Sequence, residues 1–243
     1  MLERIELNVE HKNMAQNKLT HNPAFKRVLP FAVYMVFLVI FDLLKPLMPE
    51  GVLTDNYSAI TYSVMILTVT AILIYFYRSY DELCFDNLKI AHVLGAFATG
   101  TIVFVLWINM DWDFATLGSS AAYDPSILPG KTYYAFLAVR LAGTALVVPV
   151  FEEIFWRSFI LRYIISQDFS VVKIGTFTWM SFIVSSLLFG SEHHLWLAGI
   201  MAGVFYNLLL YWSRNIYVCI IAHSVTNLLI GIYVIRTGSW QFW

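Results

Sequence analysis

Apolar positions in this chain do not alternate with polar ones. They run together in blocks of about twenty, the length a helix needs to cross a hydrocarbon core of about 30 Å. Seven runs stand out, at 28–48, 57–77, 91–110, 135–165, 173–190, 195–212 and 216–235. The pattern predicts an all-α fold: a polytopic membrane helical bundle of about seven transmembrane helices, since only helices or closed barrels satisfy their backbone in lipid. The fourth run is overlong, about 31 residues or about 46 Å at 1.5 Å per residue. Pro149 near its middle predicts a kink or a helix break there, with one half oblique to the membrane. No repeat or low-complexity tract interrupts the pattern. The chain therefore reads as a polar tail, 1–27, followed by a single transmembrane domain, 28–243.

Composition strengthens the membrane reading. Hydrophobic residues make up 59% and charged residues 13%, against about 25% charged in soluble domains. A net charge of −1 leaves no basic patch for a phosphate backbone, so nucleic acid is excluded as a partner. The two cysteines, Cys84 and Cys219, form no disulfide framework. Cys219 lies one turn before His223; it reads either as a metal ligand or as a small packing residue, and packing is the expectation.

Basic residues orient the bundle. With the N-terminus inside, Arg4, Lys12, Lys18, Lys26, Arg27, Arg78, Lys89, Arg157, Arg162, Lys173 and Arg214 fall on inner segments. Only Lys131 and Arg236 fall outside, while Lys45 and Arg140 lie within hydrophobic runs. That asymmetry predicts N-in, C-out. The polar start is not a cleavable signal, because Asp42, Lys45 and Pro46 stand where small residues would be needed. The 111–133 loop then faces outward, with Trp112, Phe114, Tyr123 and Tyr133 as interfacial anchors, or as a substrate-facing lid.

The informative exceptions to apolarity are Glu152 and Glu153, deep in the fourth run. Acids near a bilayer centre cost about 2.5–3.5 kcal/mol even on lenient scales and default to a functional reading. On a helix Glu153 and Arg157 share a face and can pair. Glu152 is rotated by about 100° and needs another partner. Two glutamates in different surroundings hold their protons differently, which is how a general base is made. His193 follows Phe189 by one turn, within a His193–His194 doublet that leaves the functional imidazole ambiguous. His223 and Asn227 are four apart on the seventh run. Taken alone, those two read as an interhelical hydrogen-bonding pair.

The three patterns together, Glu152-Glu153-x-x-x-Arg157, Phe189-x-x-x-His193 and His223-x-x-x-Asn227, resemble the motifs of the CPBP family, the intramembrane proteases of CAAX and bacteriocin processing. The resemblance spans roughly 135–235. It implies a helical core with a buried peptidase cavity, Glu152 and His193 activating water, and His223 and Asn227 stabilising the oxyanion. Glu153 and Arg157 match the supporting positions of the first motif. The wording Glu152-Glu-Ile-Phe-Trp-Arg-Ser-Phe159 is most similar to bacterial members that accompany exosortase-type protein-sorting systems. That would place the protein in a bacterial inner membrane, acting on a membrane-associated protein or peptide such as a hydrophobic tail or sorting signal.

The chemistry agrees. No Gly-x-Ser-x-Gly and no His-Glu-x-x-His occurs, which disfavours a side-chain nucleophile and a conventional zincin. A glutamate acting on water remains, with imidazole and amide donors for the oxyanion. No cofactor is expected on this reading. Two alternatives stay open: zinc held by Glu152, His193 and His223, and a non-catalytic scaffold, immunity protein or transporter.

Overall fold

The computed structural model describes residues 21–44, 47, 52–85, 88–118 and 123–243, with backbone alone at 52–55. Most of the polar tail, together with Lys45 and Pro46, lies outside them. Seven helices of ten or more residues occur among the described residues, and no strand does. They are α1 (Pro23–Leu44), α2 (Val52–Phe76), α3 (Ile90–Trp107), α4 (Gly130–Ile165), α5 (Trp179–Ser191), α6 (Trp196–Ser213) and α7 (Ile216–Thr237). All but α5 are long and apolar enough to cross a membrane. The protein is an all-α polytopic bundle and a multi-pass integral membrane protein.

Two elements depart from the sequence expectation. The fifth run forms a helix of only 13 residues, about 20 Å at 1.5 Å per residue. Gly175 holds a left-handed φ of +75°, and the Thr178 hydroxyl caps the helix by accepting from the Ser181 N–H at 3.1 Å. These features delay the helix by several residues. The fourth run, by contrast, does not break at Pro149. It continues through two π-helical stretches, Gly143–Val147 and Ile154–Ile160, on either side of Val148–Glu153. The wider turn absorbs the proline that would otherwise disrupt an α-helix.

Helices meet where side chains are small or hydroxylated, as in bilayers generally. At Gly100, α3 lies so close to α7 that an added Cβ would collide with the Ala222 carbonyl. The Thr226 hydroxyl donates to the Gly100 carbonyl there at 3.0 Å. Between α5 and α6, Asn207 Nδ2 donates to the Ser185 and Ser186 hydroxyls at 2.9 and 3.0 Å. Aromatic rings lock α1 onto α4, with Phe31 stacked on Phe155 at 3.9 Å and Tyr34 against Phe151 at 4.9 Å.

The two ends of the bundle differ. One end gathers Arg27, Glu82, Ser158 and Arg162. The other gathers the C-terminal ends of α3 and α7, the start of α6 and the 240–243 segment, with Trp107, Trp240 and Trp243. The loop aromatics at that end divide. Trp112 and Phe114 stack on each other and are exposed, as anchors would be. Tyr123 and Tyr133 instead pack into a cluster with Phe136 and Leu128.

Candidate active site

Pro149 has a second consequence. In a π-turn the carbonyl of residue i accepts from the N–H of i+5, as Gly143 does from Val148. The next carbonyl, Thr144, would look to position 149, where proline has no N–H. Asn227 supplies the missing donor: its Nδ2 donates to the Thr144 carbonyl at 2.8 Å. The third motif is thereby tied to the helix that carries the first.

Glu153 sits between Arg157 and His223, all three buried. Its Oε1 accepts from Arg157 Nη1 at 3.2 Å and from His223 Nδ1 at 2.9 Å. Its Oε2 lies 3.1 Å from Arg157 Nε, in ion-pair contact although poorly aligned for a hydrogen bond. The guanidinium is sandwiched between rings, 4.4 Å from the Phe189 centroid and 5.3 Å from that of Tyr206. Arg157, 1% exposed, is the largest of the almost fully buried side chains among the described residues. Glu153 and Arg157 do not line the cavity that Glu152 lines, whereas His223 does; Glu153 Oε2 and Arg157 Nε and Nη2 have no hydrogen-bond partner among the described residues.

A carboxylate only accepts, so the contact with Glu153 places a hydrogen on His223 Nδ1. The ring's Nε2 then turns toward Glu152, 3.9 Å from its Oε2. Tyr206 stacks on the same ring at 5.1 Å, and its hydroxyl donates to Thr226 at 2.8 Å. His193 is oriented the same way, with Nδ1 donating to the Phe189 carbonyl at 2.7 Å, so its Nε2 is likewise available. Gly199 makes space for it: a Cβ there would stand 3.1 Å from His193 Nδ1 and 2.9 Å from the Gly190 Cα.

Glu152, His193, His223 and Asn227 line one cavity of about 180 Å³, with Tyr34, Thr144 and Trp243 at its wall. Glu152 is buried, and its Oε2 has no hydrogen-bond partner among the described residues. His194 does not line the cavity. It pairs with Leu117 through its ring and through its carbonyl, which accepts the Leu117 N–H at 2.8 Å, and so holds the 113–117 loop. The sequence doublet is thus separated into one cavity residue and one loop anchor.

Glu192 was not singled out by the sequence. Its Oε1 accepts from Trp156 Nε1 at 2.9 Å, while its Oε2 is buried without a partner among the described residues. It groups with Glu152 and His193, whose ligand-type atoms all lie within 4.8 Å of one another. Its only sequence signal is adjacency to His193. Residues 192–195 form the turn between α5 and α6, outside the spans. Burial there pushes the Glu192 carboxyl up to about 8 and the His193 imidazole down to about 4. His193 is therefore a neutral ring at neutral pH, with a lone pair on Nε2. The sequence left zinc held by Glu152, His193 and His223 as an alternative; the three residues whose ligand-type atoms gather are Glu152, Glu192 and His193, and His223 Nε2 lies 3.9 Å from Glu152 Oε2. Cys219 is buried with its Sγ on the Tyr206 carbonyl at 3.5 Å, in a packing role.

A cavity among apolar helices with an unsatisfied carboxyl, two imidazoles and an amide is equipment for hydrolysis. Residues 134–229 match the family model described as Rce1-like, type II CAAX prenyl endopeptidase Rce1-like. The matched segment carries all three motifs and is similar to these CPBP-family endopeptidases. The match supports a hydrolase, a membrane protease acting on membrane-associated protein substrates in a bilayer. It says nothing of an exosortase-type partner. No curated protein and no solved structure matches the chain.

Proposed function

We propose that this protein is a glutamate-type intramembrane endopeptidase that needs no metal. The observation that carries the proposal is the division of labour between adjacent glutamates: Glu153 is hydrogen-bonded to Arg157 and His223 and lies off the cavity, while Glu152 lines the cavity and its Oε2 has no hydrogen-bond partner among the described residues, with His223 Nε2 3.9 Å away. A water held by Glu152 and His193 Nε2 gives its proton to Glu152 as its oxygen forms a C–O bond to the scissile carbonyl carbon. The carbonyl oxygen becomes an oxyanion. It accepts hydrogen bonds from the second N–H of Asn227 Nδ2 and from His223 Nε2–H, the ring entering the step with both nitrogens protonated and its Nδ1–H on Glu153. Collapse restores the carbonyl and breaks the C–N bond, and the proton on Glu152 passes to the leaving amine. In this proposal the chain lies N-in, C-out in a bacterial inner membrane, so the cavity sits toward the outer end. An exosortase-type sorting system is the expected partner, and its presence or absence among neighbouring genes tests that.

The mechanism is tested by Glu152→Gln, which keeps shape and hydrogen bonding and removes the base. Turnover of a membrane-inserted substrate should fall by about 10²–10⁴ with the melting temperature unchanged. Normal turnover would remove the proposed base and with it the mechanism.

The grouping of Glu152, Glu192 and His193 supports a second reading, in which these three bind a divalent cation that polarises water. Metal analysis of protein purified in mild detergent separates the two. Stoichiometric metal, lost together with activity in Glu192→Gln, would establish the second reading. Activity that survives chelation in metal-free protein supports the first.

A further inference from the structure

A second cavity, of about 580 Å³, opens toward the C-terminal end of α4 and shares no lining residue with the peptidase cavity. It lies where α1 begins, where α2 gives way to the 77–79 turn, and beside the 169–174 segment that follows α4. Arg27 and Arg162, both buried, line it together with Glu82. Their network is closed in hydrogen bonds, since every side-chain nitrogen of the two arginines reaches an acceptor. It is not closed in charge. Glu82 pairs with Arg27, and among the described residues no carboxylate lies within ion-pair distance of Arg162. Both guanidiniums stand over the Phe169 ring, at 5.3 and 4.9 Å.

Three more cations border the same space: Lys26 and the exposed Arg78 and Lys173. None of them has a carboxylate within ion-pair distance among the described residues. Lys26 Nζ donates to the Ser79 hydroxyl at 3.0 Å, and Arg78 Nε to the Tyr77 hydroxyl at 2.8 Å. An ammonium carries three hydrogens and a guanidinium five, so both groups keep donors to offer. Asp81 is the other acid on the wall, which leaves five cations against two carboxylates among the described lining residues.

We propose that this cavity binds the phosphate headgroup of an anionic phospholipid. The surplus charge calls for an anion, and the ends of the spans are the level at which headgroups lie. Exposed Tyr75, Tyr77 and Tyr163 stand at the same helix ends, where interfacial aromatics belong. Basic pockets between spans are the usual seat of such headgroups. The Arg78 guanidinium can meet two phosphate oxygens through parallel N–H···O bonds, and the lysines add point charges. A zwitterionic lipid brings a cation of its own, which five cations repel. The inference stands apart from the peptidase reading, because the two cavities have no residue in common.

The test titrates the full chain in mild detergent with dihexanoyl phosphatidylglycerol and with dihexanoyl phosphatidylcholine, followed by calorimetry. Phosphatidylglycerol should bind at one site, about tenfold or more tighter than phosphatidylcholine. Arg78→Gln and Lys173→Gln should each weaken it about fivefold, the worth of one cation beside an anionic headgroup. The double variant should lose about 25-fold if the two act independently. Lys131→Gln, at the opposite end of α4, should bind as the unaltered protein does. Both substituted rim residues are exposed, and an unchanged melting temperature without lipid identifies the folded variants. Equal affinity for the two lipids overturns the proposal, as does undiminished phosphatidylglycerol binding in the double variant or an equal loss in Lys131→Gln. Inorganic phosphate should compete only weakly, because it lacks the acyl chains that hold a headgroup at this level. Competition by phosphate at the affinity of phosphatidylglycerol would make this a site for free phosphate and overturn the lipid assignment.

Discussion

Helix α4 carries two polar clusters, one turn apart in sequence and opposite in character. Toward its C-terminal end Ser158 and Arg162 join Arg27 and Glu82. Arg27 Nε donates to Glu82 at 2.9 Å and to the Ser158 hydroxyl at 3.1 Å, Arg162 Nη2 donates to the same hydroxyl at 2.8 Å, and the Ser158 hydroxyl donates to Glu82. Arg27 Nη2 donates to the other Glu82 oxygen, and further donors reach the main-chain carbonyls of Pro23, Ser79, Ser158 and Val172. None of these four side chains has a buried polar atom without a partner among the described residues. At Glu152 the opposite holds: Glu152 and Glu192 each keep a buried oxygen unpartnered. A fully satisfied polar network rigidifies, whereas an unsatisfied buried acceptor costs free energy and persists where it is used. Buried charge therefore does not by itself mark chemistry. Unfilled hydrogen-bonding capacity beside a cavity does.

The contrast is broken most sharply at Asn227. It belongs to the open cluster, yet one N–H is already committed to Thr144. Asn227→Ala should slow turnover by about 10²–10³, the loss of one oxyanion donor. KM should change little, because the bond strengthens only in the transition state. A KM rise with kcat intact would make Asn227 a substrate-positioning or structural residue and would move the oxyanion function elsewhere.

Glu82 tests the satisfied cluster and should behave in reverse. Glu82→Gln should lower stability by about 1–3 kcal/mol, since it strands Arg27 without its charge partner, while kcat per folded molecule stays the same. A pH dependence follows. Burial raises the Glu82 carboxyl, but hydrogen bonds and charge from Arg27, with help from Ser158, outweigh it and leave it below the ordinary carboxylate value. A depressed folded value means that the contribution is fully present above the unfolded carboxylate range, about 4.3. It is lost as pH falls through the lower folded value. Thermal melts of the wild type should drop on that acid side, and those of Glu82→Gln should drop less. Equal slopes would show that the pair adds nothing to folding.

Much of this was legible in the sequence, and the limits have physical causes. The runs were readable because a bilayer demands long apolar helices, and the seven observed helices fall on the seven runs. The motif pairs were readable because i,i+4 spacing puts two side chains on one face. Glu192 was not, because its place depends on where α5 stops and on Trp156 of another helix. Tyr206, stacked on His223, looked like any aromatic in an apolar helix. Pro149 was read as a kink or a break, and a π-helical continuation was not foreseen, since α- and π-turns share the same local sequence and packing against Asn227 favours the wider one. The short α5 was missed for a similar reason: the apolar run begins before Thr178, but its cap and Gly175 govern where the helix starts.

The smallest expected effect separates two neighbours that sequence could not. His194 holds the 113–117 loop through Leu117, and His193 lines the cavity on the α5–α6 turn. Their backbones are adjacent, so any general disturbance of the turn affects both. His194→Ala should therefore change turnover no more than about two- to threefold, in keeping with about 0.5 kcal/mol for a substitution away from the chemistry. His193→Ala removes the neutral imidazole beside Glu152 and should act on kcat as strongly as a lost general-base partner, about 10²-fold. The two losses being equal would mean that the turn acts as a unit, with the loop at Leu117 as important to the cavity as the ring that faces it.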